Sequence, residues 1–378
     1  MVKSFILIFT FSLNIAAACF DSKPVKDSIE IKLKSQLQKL INEAINKTQL
    51  NSLSITIGNS NRNIYMEAFG KIAKAKVNSL ETIYDLASIT KLFTASALLK
   101  KMQQKKMPIT TKLSDFFPQM ELNEAKKKIT IENLLRHESG FKAGLIDSEF
   151  GQDEEESWNK IINLLPTRTY KKFLYSDINY LLLGRTLEKI SFKNYKEIVS
   201  ELITTPLRMN NTYFGPKGEL CDTCAPTIKG QVDMRTHDPT AYRLGGVVGS
   251  AGLFTTIYDL SKFASLFLNK GEFCGRSILS NEQVLSMTLK KKNSVRGLGF
   301  DISSAYSNRP RGEYFSLNKS FGHTGYTGTS LWIDPTIDTF VIVLTNSVIN
   351  SKAKKVFLDL NKEISTLVGK FYKNNKAF

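Results

Sequence analysis

The sequence predicts an α+β chain, and three patterns predict it. Strand-like runs stand near both ends, a long helical stretch lies between them, and an amphipathic helix closes the chain. Strands at both ends with helices inserted between imply one mixed sheet completed by N- and C-terminal segments. No internal repeat and no Pro- or Gly-rich linker interrupts the 378 residues, so one bi-lobed domain is the economical organisation.

Taken in order, residues 26–47 place Ile29, Leu33, Leu37, Leu40, Ile41 and Ile45 at spacings of three and four, the period of a helix. Residues 53–58 and 64–69 read as short strands, and Asn59, Ser60 and Asn61 between them signal a hairpin. From about 88 to 207 the pattern is mostly helical. Residues 297–302, 329–334 and 339–346 read as strands, with Asp334-Pro335-Thr336-Ile337-Asp338 as the turn joining the last two. Residues 353–367 form the closing helix, and Trp332 and Phe340 on the terminal strands are expected in the core.

The composition excludes several classes. A chain 42% hydrophobic and 23% charged is neither disordered, nor collagen-like, nor a polytopic membrane protein. With 52 Lys and Arg against 35 Asp and Glu, the net charge is +17, which favours anionic surfaces. Zinc-finger spacing, an RNA-binding aromatic signature and an Arg-rich arm are all missing, so nucleic acid is not expected as a partner. Lysine runs at 126–128 and 290–292 read as a solvated surface.

The N-terminus carries an address. Met1-Val2-Lys3 is basic, residues 5–15 are apolar, and Ala16-Ala17-Ala18-Cys19 resembles a cleavage site. Residues 1–18 therefore read as a secretory signal, too short to span a bilayer comfortably; a retained anchor helix is the rival. Cys19 after three alanines also resembles the bacterial lipobox, although Ala16 stands where that pattern usually has Leu. Lipidation of Cys19 is the expectation and plain secretion the alternative, with the mature chain soluble or tethered by lipid alone. Residues 19–47 are then an N-terminal linker and helix, and 48–375 the single domain, with a helical lobe at about 103–245. Acylation of Cys19 would leave Cys221, Cys224 and Cys274, an odd number. Cys221-Asp222-Thr223-Cys224 is expected to hold a local loop disulfide, since no second such pair offers a zinc tetrad.

The sharpest local signal is Ser88-Ile89-Thr90-Lys91, opening a helix with Leu92, Ala95, Leu99 and Met102 at apolar positions. Residues three apart on a helix share a face, so the two side chains can meet. A serine hydroxyl is a poor nucleophile until a neighbour removes its proton. Lysine does so only where desolvation or another cation depresses its pKa from about 10.4. The positive end of the helix would favour an oxyanion at Ser88. Alone, S-x-x-K is a weak signal. Tyr175-Ser176-Asp177 before an apolar helix at 178–190, and His323-Thr324-Gly325 before the last two strands, complete an ordered set.

Ser and Lys, then Tyr, then a [KH]-T-G strand is the layout of serine β-lactamases and penicillin-binding proteins. The chain resembles the class C β-lactamase-related serine hydrolases, which also include D-Ala-D-Ala carboxypeptidases, esterases and wall-peptide amidases. Leu134-Leu135-Arg136-His137-Glu138-Ser139-Gly140 is similar to that family's LLxHxSG segment. His237-Asp238-Pro239-Thr240-Ala241-Tyr242, followed by Gly245-Gly246 and Ala251-Gly252-Leu253-Phe254, is similar to a subset of it. The likeness covers about residues 50–350. It implies a β-lactamase/penicillin-binding-protein-like fold: an antiparallel sheet flanked by helices, a mostly helical lobe, and the site between them.

By resemblance, Ser88 is the acylated nucleophile, Lys91 assists its deprotonation, and Tyr175 is the general base or shares the proton with Lys91. The backbone N–H groups of Ser88 and Tyr326 form the oxyanion hole, and Asp177, His323, Thr324, Gly325 and His237 meet substrate. Two departures stand out. Those enzymes usually have Lys where this chain has His323, and often Asn where it has Asp177. Histidine, mostly neutral at pH 7, anchors a carboxylate weakly, and an ionised Asp cannot donate to a substrate amide. Both favour an esterase or amidase over a β-lactamase. A zinc triad of His137, His237 and His323 is not expected, because none are paired at helical spacing and no H-E-x-x-H occurs. His137 beside Ser139 and Gly140 reads as a turn histidine, and His237 as a loop hydrogen-bonder or a cleft residue.

The expectation is a bacterial envelope serine hydrolase acting through an acyl-enzyme on an ester or amide, such as a wall muropeptide, with no cofactor and no metal. A β-lactamase or D-Ala-D-Ala carboxypeptidase is the enzyme alternative. A penicillin or wall-fragment sensor that acylates without turnover is the non-enzyme one.

Overall fold

A computed structural model of the chain describes residues 19–20, 28–48, 52–73, 76–215, 220–231 and 233–375; the signal read at 1–18 lies outside them. Eleven strands run in chain order among these residues: β1 Ser52–Gly58, β2 Asn63–Ala73, β3 Lys76–Val77, β4 Ile83–Asp85, β5 Tyr213–Phe214, β6 Leu253–Thr256, β7 Glu272–Phe273, β8 Arg276–Ser277, β9 Phe321–Gly325, β10 Thr329–Asp334 and β11 Thr339–Thr345. Six of them form the main sheet in the order β3-β2-β1-β11-β10-β9, so the first and last thirds of the chain are stitched together at β1 and β11. Every pairing in it is antiparallel, with Ile55 opposite Val343 and Leu331 opposite His323. The sheet is completed by both ends of the chain as expected, and it is antiparallel as the resemblance implies rather than mixed, because hairpin turns and not helical crossovers join β1 to β2, β9 to β10 and β10 to β11.

Side-chain alternation explains why this sheet is covered on both faces. On β11, Val341 and Val343 point to one side and Phe340, Ile342 and Leu344 to the other, all buried. The first side receives the helix Ser28–Thr48 through Leu33, Leu37 and Ile41, and the helix Ser351–Asn375 through Phe357, Leu360, Ile364 and Val368. Burying each such side chain contributes about 1.5–3 kcal/mol. The opposite side packs on the helix Ile257–Leu268 through Leu260, Phe263 and Phe267 and continues into the larger core. There the helix Thr90–Gln104 is buried nearly all round, as a helix enclosed between a sheet and further helices must be. It lies against the helix Asp177–Ser191, where Gly249 closes the packing: a Cβ there would sit 2.1 Å from the Tyr180 carbonyl oxygen.

Two expectations are corrected here. Residues 297–302 do not form a strand; only single bridges link Arg296 to Asp301 and Asp301 to Gly322. Leu298, Phe300 and Ile302 are buried by a tight reversal through Gly299, whose φ of +110° a side chain would disfavour, so their alternation records packing rather than a ladder. The Cys19 sulfur is bonded to Cys274 at the β7–β8 hairpin, so it is not free to carry the thioether of a lipid anchor. Cys221 and Cys224 form the local loop disulfide, and no free cysteine remains among the described residues.

Candidate active site

The nucleophile turn is built by β4 and held from three sides. Ser88 lies in the 3-10 turn Ala87–Ile89 that feeds the helix Thr90–Gln104. Ala87 before it takes a left-handed φ of +46°, a conformation that non-glycine residues hold only where surroundings impose it. Asp85 imposes it by accepting the Ala87 N–H at 2.8 Å, and accepts the His237 N–H at 2.8 Å with its other oxygen. Burial pushes the Asp85 carboxyl up to about 6 against these hydrogen bonds. The β9–β10 turn and the start of β10 close the nucleophile turn: Thr327 Oγ1 donates to the Asp85 carbonyl at 2.7 Å, and Thr329 Oγ1 to the Leu86 carbonyl at 3.1 Å. Gly325 is required there, because a Cβ would lie 2.4 Å from the Leu86 oxygen.

Lys91 is the second residue of that helix, three positions after the serine, and is fully buried. Its ammonium donates to Ser88 Oγ at 3.0 Å and to the Ser250 carbonyl at 2.8 Å, and pairs with Asp177 Oδ1 at 2.7 Å. An ammonium has three donors, and with the Tyr175 hydroxyl also in reach they are shared among four partners. Burial pulls the Lys91 pKa down, but Asp177 and Tyr175 more than offset it and hold it well above the ordinary lysine value. The depressed lysine expected of a free-amine base is thus not what the fold builds. The direction is upward, towards the charged form, because Asp177 and Tyr175 together outweigh desolvation.

The Tyr175 hydroxyl interacts with both Ser88 and Lys91, and Lys91 Nζ lies 5.3 Å from its ring centroid. Burial raises the phenol's pKa, Lys91 and Arg296 oppose the rise, and Asp177 adds to it; the net direction is up. Tyr175 is the other titratable group hydrogen-bonded to the Ser88 hydroxyl.

His137 supports the tyrosine from below. It occupies the turn expected for it, with φ +59°, accepts the Ser176 N–H on Nδ1 at 3.0 Å, and stacks on the Tyr175 ring at 4.5 Å between centroids. His323 shares a 2.8 Å hydrogen bond between Nδ1 and the Thr324 carbonyl, which places its proton on Nδ1. Its Nε2 is buried without a partner among the described residues. Burial, with Arg296 and Lys91 adding to it, holds His323 well below the usual histidine range, so it is neutral at pH 7.

Ser88, Tyr175, His323, Thr324, Gly325 and Tyr326 line one cleft of about 310 Å³. Tyr326 directly follows β9, and its exposed ring lies under Lys354 Nζ, 3.2 Å from the centroid. His237 stacks behind Tyr326 at 5.5 Å rather than lining the cleft. Trp332, Phe357 and Leu358 form an apolar wall.

The family described as Beta-lactamase matches residues 37–359. The chain belongs to the beta-lactamase family. A protein of Escherichia coli (strain K12) named "Putative D-alanyl-D-alanine carboxypeptidase" is 27% identical to this family member over 390 residues, covering 90% of this chain and 89% of its own. Among solved structures, the octameric penicillin-binding protein homologue from Pyrococcus abyssi is 25% identical with a TM-score of 0.68, over 86% of this chain and 76% of that one. EstCE1, a hydrolase with promiscuous acyltransferase activity, shares the fold at 18% identity and TM-score 0.71, over 89% of this chain and 100% of that one. The chain therefore has a β-lactamase/penicillin-binding-protein-like fold and is a hydrolase of this family.

Two residues that shape this beta-lactamase-family site escape its motifs. Asp85 stands three residues before Ser88, and its two-sided grip on Ala87 and His237 appears only in three dimensions. Arg296, almost wholly buried, lines the cleft from the position just before the run 297–302 that reads as a strand in sequence.

Proposed function

We propose that the chain is an exported serine hydrolase that transfers the acyl group of a small ester or amide to Ser88 and then to water. The observation that carries this reading is the buried Lys91 ammonium, 3.0 Å from Ser88 Oγ and 2.7 Å from Asp177, under a cleft that Ser88 and Tyr175 both line. In the first half-reaction Tyr175 takes the Ser88 proton as Oγ attacks the carbonyl carbon. The developing oxyanion is met by the Ser88 and Tyr326 N–H groups. Tyr175 then protonates the leaving oxygen or nitrogen; in the second half-reaction it takes a proton from the attacking water and returns it to Ser88 Oγ as the acyl C–O bond breaks and the acid leaves. Lys91 stays charged throughout and stabilises the phenolate.

The neutral His323 supports an ester or amide without an obligatory carboxylate, since an uncharged imidazole gives an anionic end little attraction. The apolar wall of Trp332, Phe357 and Leu358 supports a substrate with an apolar acyl or leaving group. Two disulfides support an oxidising, extracytoplasmic compartment, in line with the apolar run at 5–15. A second reading, D-Ala-D-Ala carboxypeptidase, rests on the name of the 27% identical relative, and a net charge of +17 suits an anionic wall.

One panel separates these: a short p-nitrophenyl ester, an N-acylated D-Ala-D-Ala peptide and a chromogenic cephalosporin, each with wild type and Ser88→Ala. The ester is expected to turn over fastest, and Ser88→Ala to lose all three activities. A faster cephalosporin or a faster release of D-Ala would overturn the ester preference, and an active Ser88→Ala would remove the nucleophile.

A further inference from the structure

We infer that Arg296 is a positioning residue of the hydrolytic site, supplying the second fixed cation beside Tyr175 that His323 does not provide. The inference rests on the reading of Tyr175 as the proton acceptor. Its observations are geometric. The Arg296 guanidinium carbon lies 5.7 Å from the Tyr175 ring centroid, against 5.3 Å for Lys91 Nζ, so two cations flank one phenol.

The two are neutralised very differently. Lys91 has its carboxylate at 2.7 Å, so at the phenol much of its field is cancelled by Asp177. Among the described residues Arg296 has only the Asp301 carboxylate, at 3.9 Å, and that carboxylate is already engaged by the Ser304 N–H at 3.1 Å and hydroxyl at 2.6 Å. One guanidinium N–H donates to the Gly299 carbonyl at 2.8 Å, while Nε is buried with no partner among the described residues. A buried guanidinium left short of partners costs free energy, and its charge acts through a medium with little water to screen it.

The turn that carries Arg296 is fixed. Arg136, paired with Glu132 at 3.0 Å, donates to the Arg296 carbonyl, as does Ser294 Oγ at 3.2 Å. A Cβ on Gly297 would lie 1.8 Å from the Met287 carbonyl oxygen, so the turn is pinned against a helix end.

The other groups facing Tyr175 do not supply this charge. His137 stacks on it and His323 lies 6.0 Å away, both held neutral; Tyr306 sits at 6.4 Å; Asp177 is negative; Tyr180, beneath, donates its hydroxyl to the Leu135 carbonyl. Both departures from the family pattern, Asp177 and His323, remove positive field from the phenol. Arg296 restores it from a different part of the chain.

The test is the pH profile of kcat/KM on an uncharged p-nitrophenyl ester for wild type, Arg296→Lys, Arg296→Gln and Tyr175→Phe, with thermal melting of each. Losing a cation makes the phenol harder to ionise, so the rising limb of Arg296→Gln is expected about 1–2 pH units higher. At pH 7 that lowers the rate about 10–100-fold through kcat, with KM unchanged and Arg296→Lys near wild type. A folded Arg296→Gln whose limb does not move overturns the inference. If Arg296→Gln does not fold, His323→Lys in the otherwise intact chain adds a cation, and its limb is expected at lower pH; an unmoved limb there also overturns it. Tyr175→Phe tells the two readings apart, since full activity in that variant defeats the role of Tyr175 itself.

Discussion

Lys91→Met is expected to lower kcat/KM on a p-nitrophenyl ester by on the order of 10³-fold or more, while the protein stays folded. Lys91 carries two tasks. On the proposed mechanism it orients Ser88 Oγ through the 3.0 Å hydrogen bond, and it is the nearer of two cations to the phenolate that mechanism forms on Tyr175. Methionine fills a similar volume in the same buried channel, so no large cavity opens. The Ser250 carbonyl loses its 2.8 Å donor, which costs about 1–3 kcal/mol. Asp177 is one-third exposed and remains solvated, so no carboxylate is stranded in the core. Steady-state kinetics with a melting curve check both halves. A loss below tenfold would mean that Lys91 is only a structural cation.

Tyr175→Phe is expected to cost about 10²–10⁴-fold in kcat/KM, the usual range for a positioned proton acceptor, with little change in melting. The ring survives the substitution, and with it the 4.5 Å stack on His137, so a folding defect cannot account for the loss. The remaining activity should also lose its rising pH limb. Both His137 and His323 are held well below the usual histidine range, chiefly by burial, so neither replaces that limb near pH 6.5. Kinetics across pH 5–10 would show this; a Phe variant with the wild-type limb would assign the titration to another group.

The sheet was legible where one residue pattern has one physical outcome. Thr329–Asp334 lies where alternation and the turn after it placed a strand, and the terminal helix follows from its apolar stripe, running Ser351–Asn375 beyond the span read from sequence. Residues 297–302 failed for an instructive reason: Leu298, Phe300 and Ile302 are buried in turn by a glycine reversal, and period two does not tell that from a ladder. Ser88, Lys91, Tyr175 and His323 were legible because their motifs are local and ordered. The charge state of Lys91 was not, since it depends on Asp177, 86 positions further along the chain, standing at 2.7 Å. Arg296 had no motif around it. Cys19 misled because a cysteine after three alanines resembles an acylation site, and sequence does not show a partner 255 residues away.

Fluorophosphonate labelling followed by peptide mapping tests the central claim most directly, because the probe forms a stable bond only with an activated serine. The expected result is one adduct, on the peptide that carries Ser88, formed by wild type and absent from Ser88→Ala. An adduct on any other residue, or equal labelling of the Ser88→Ala protein, would contradict the account.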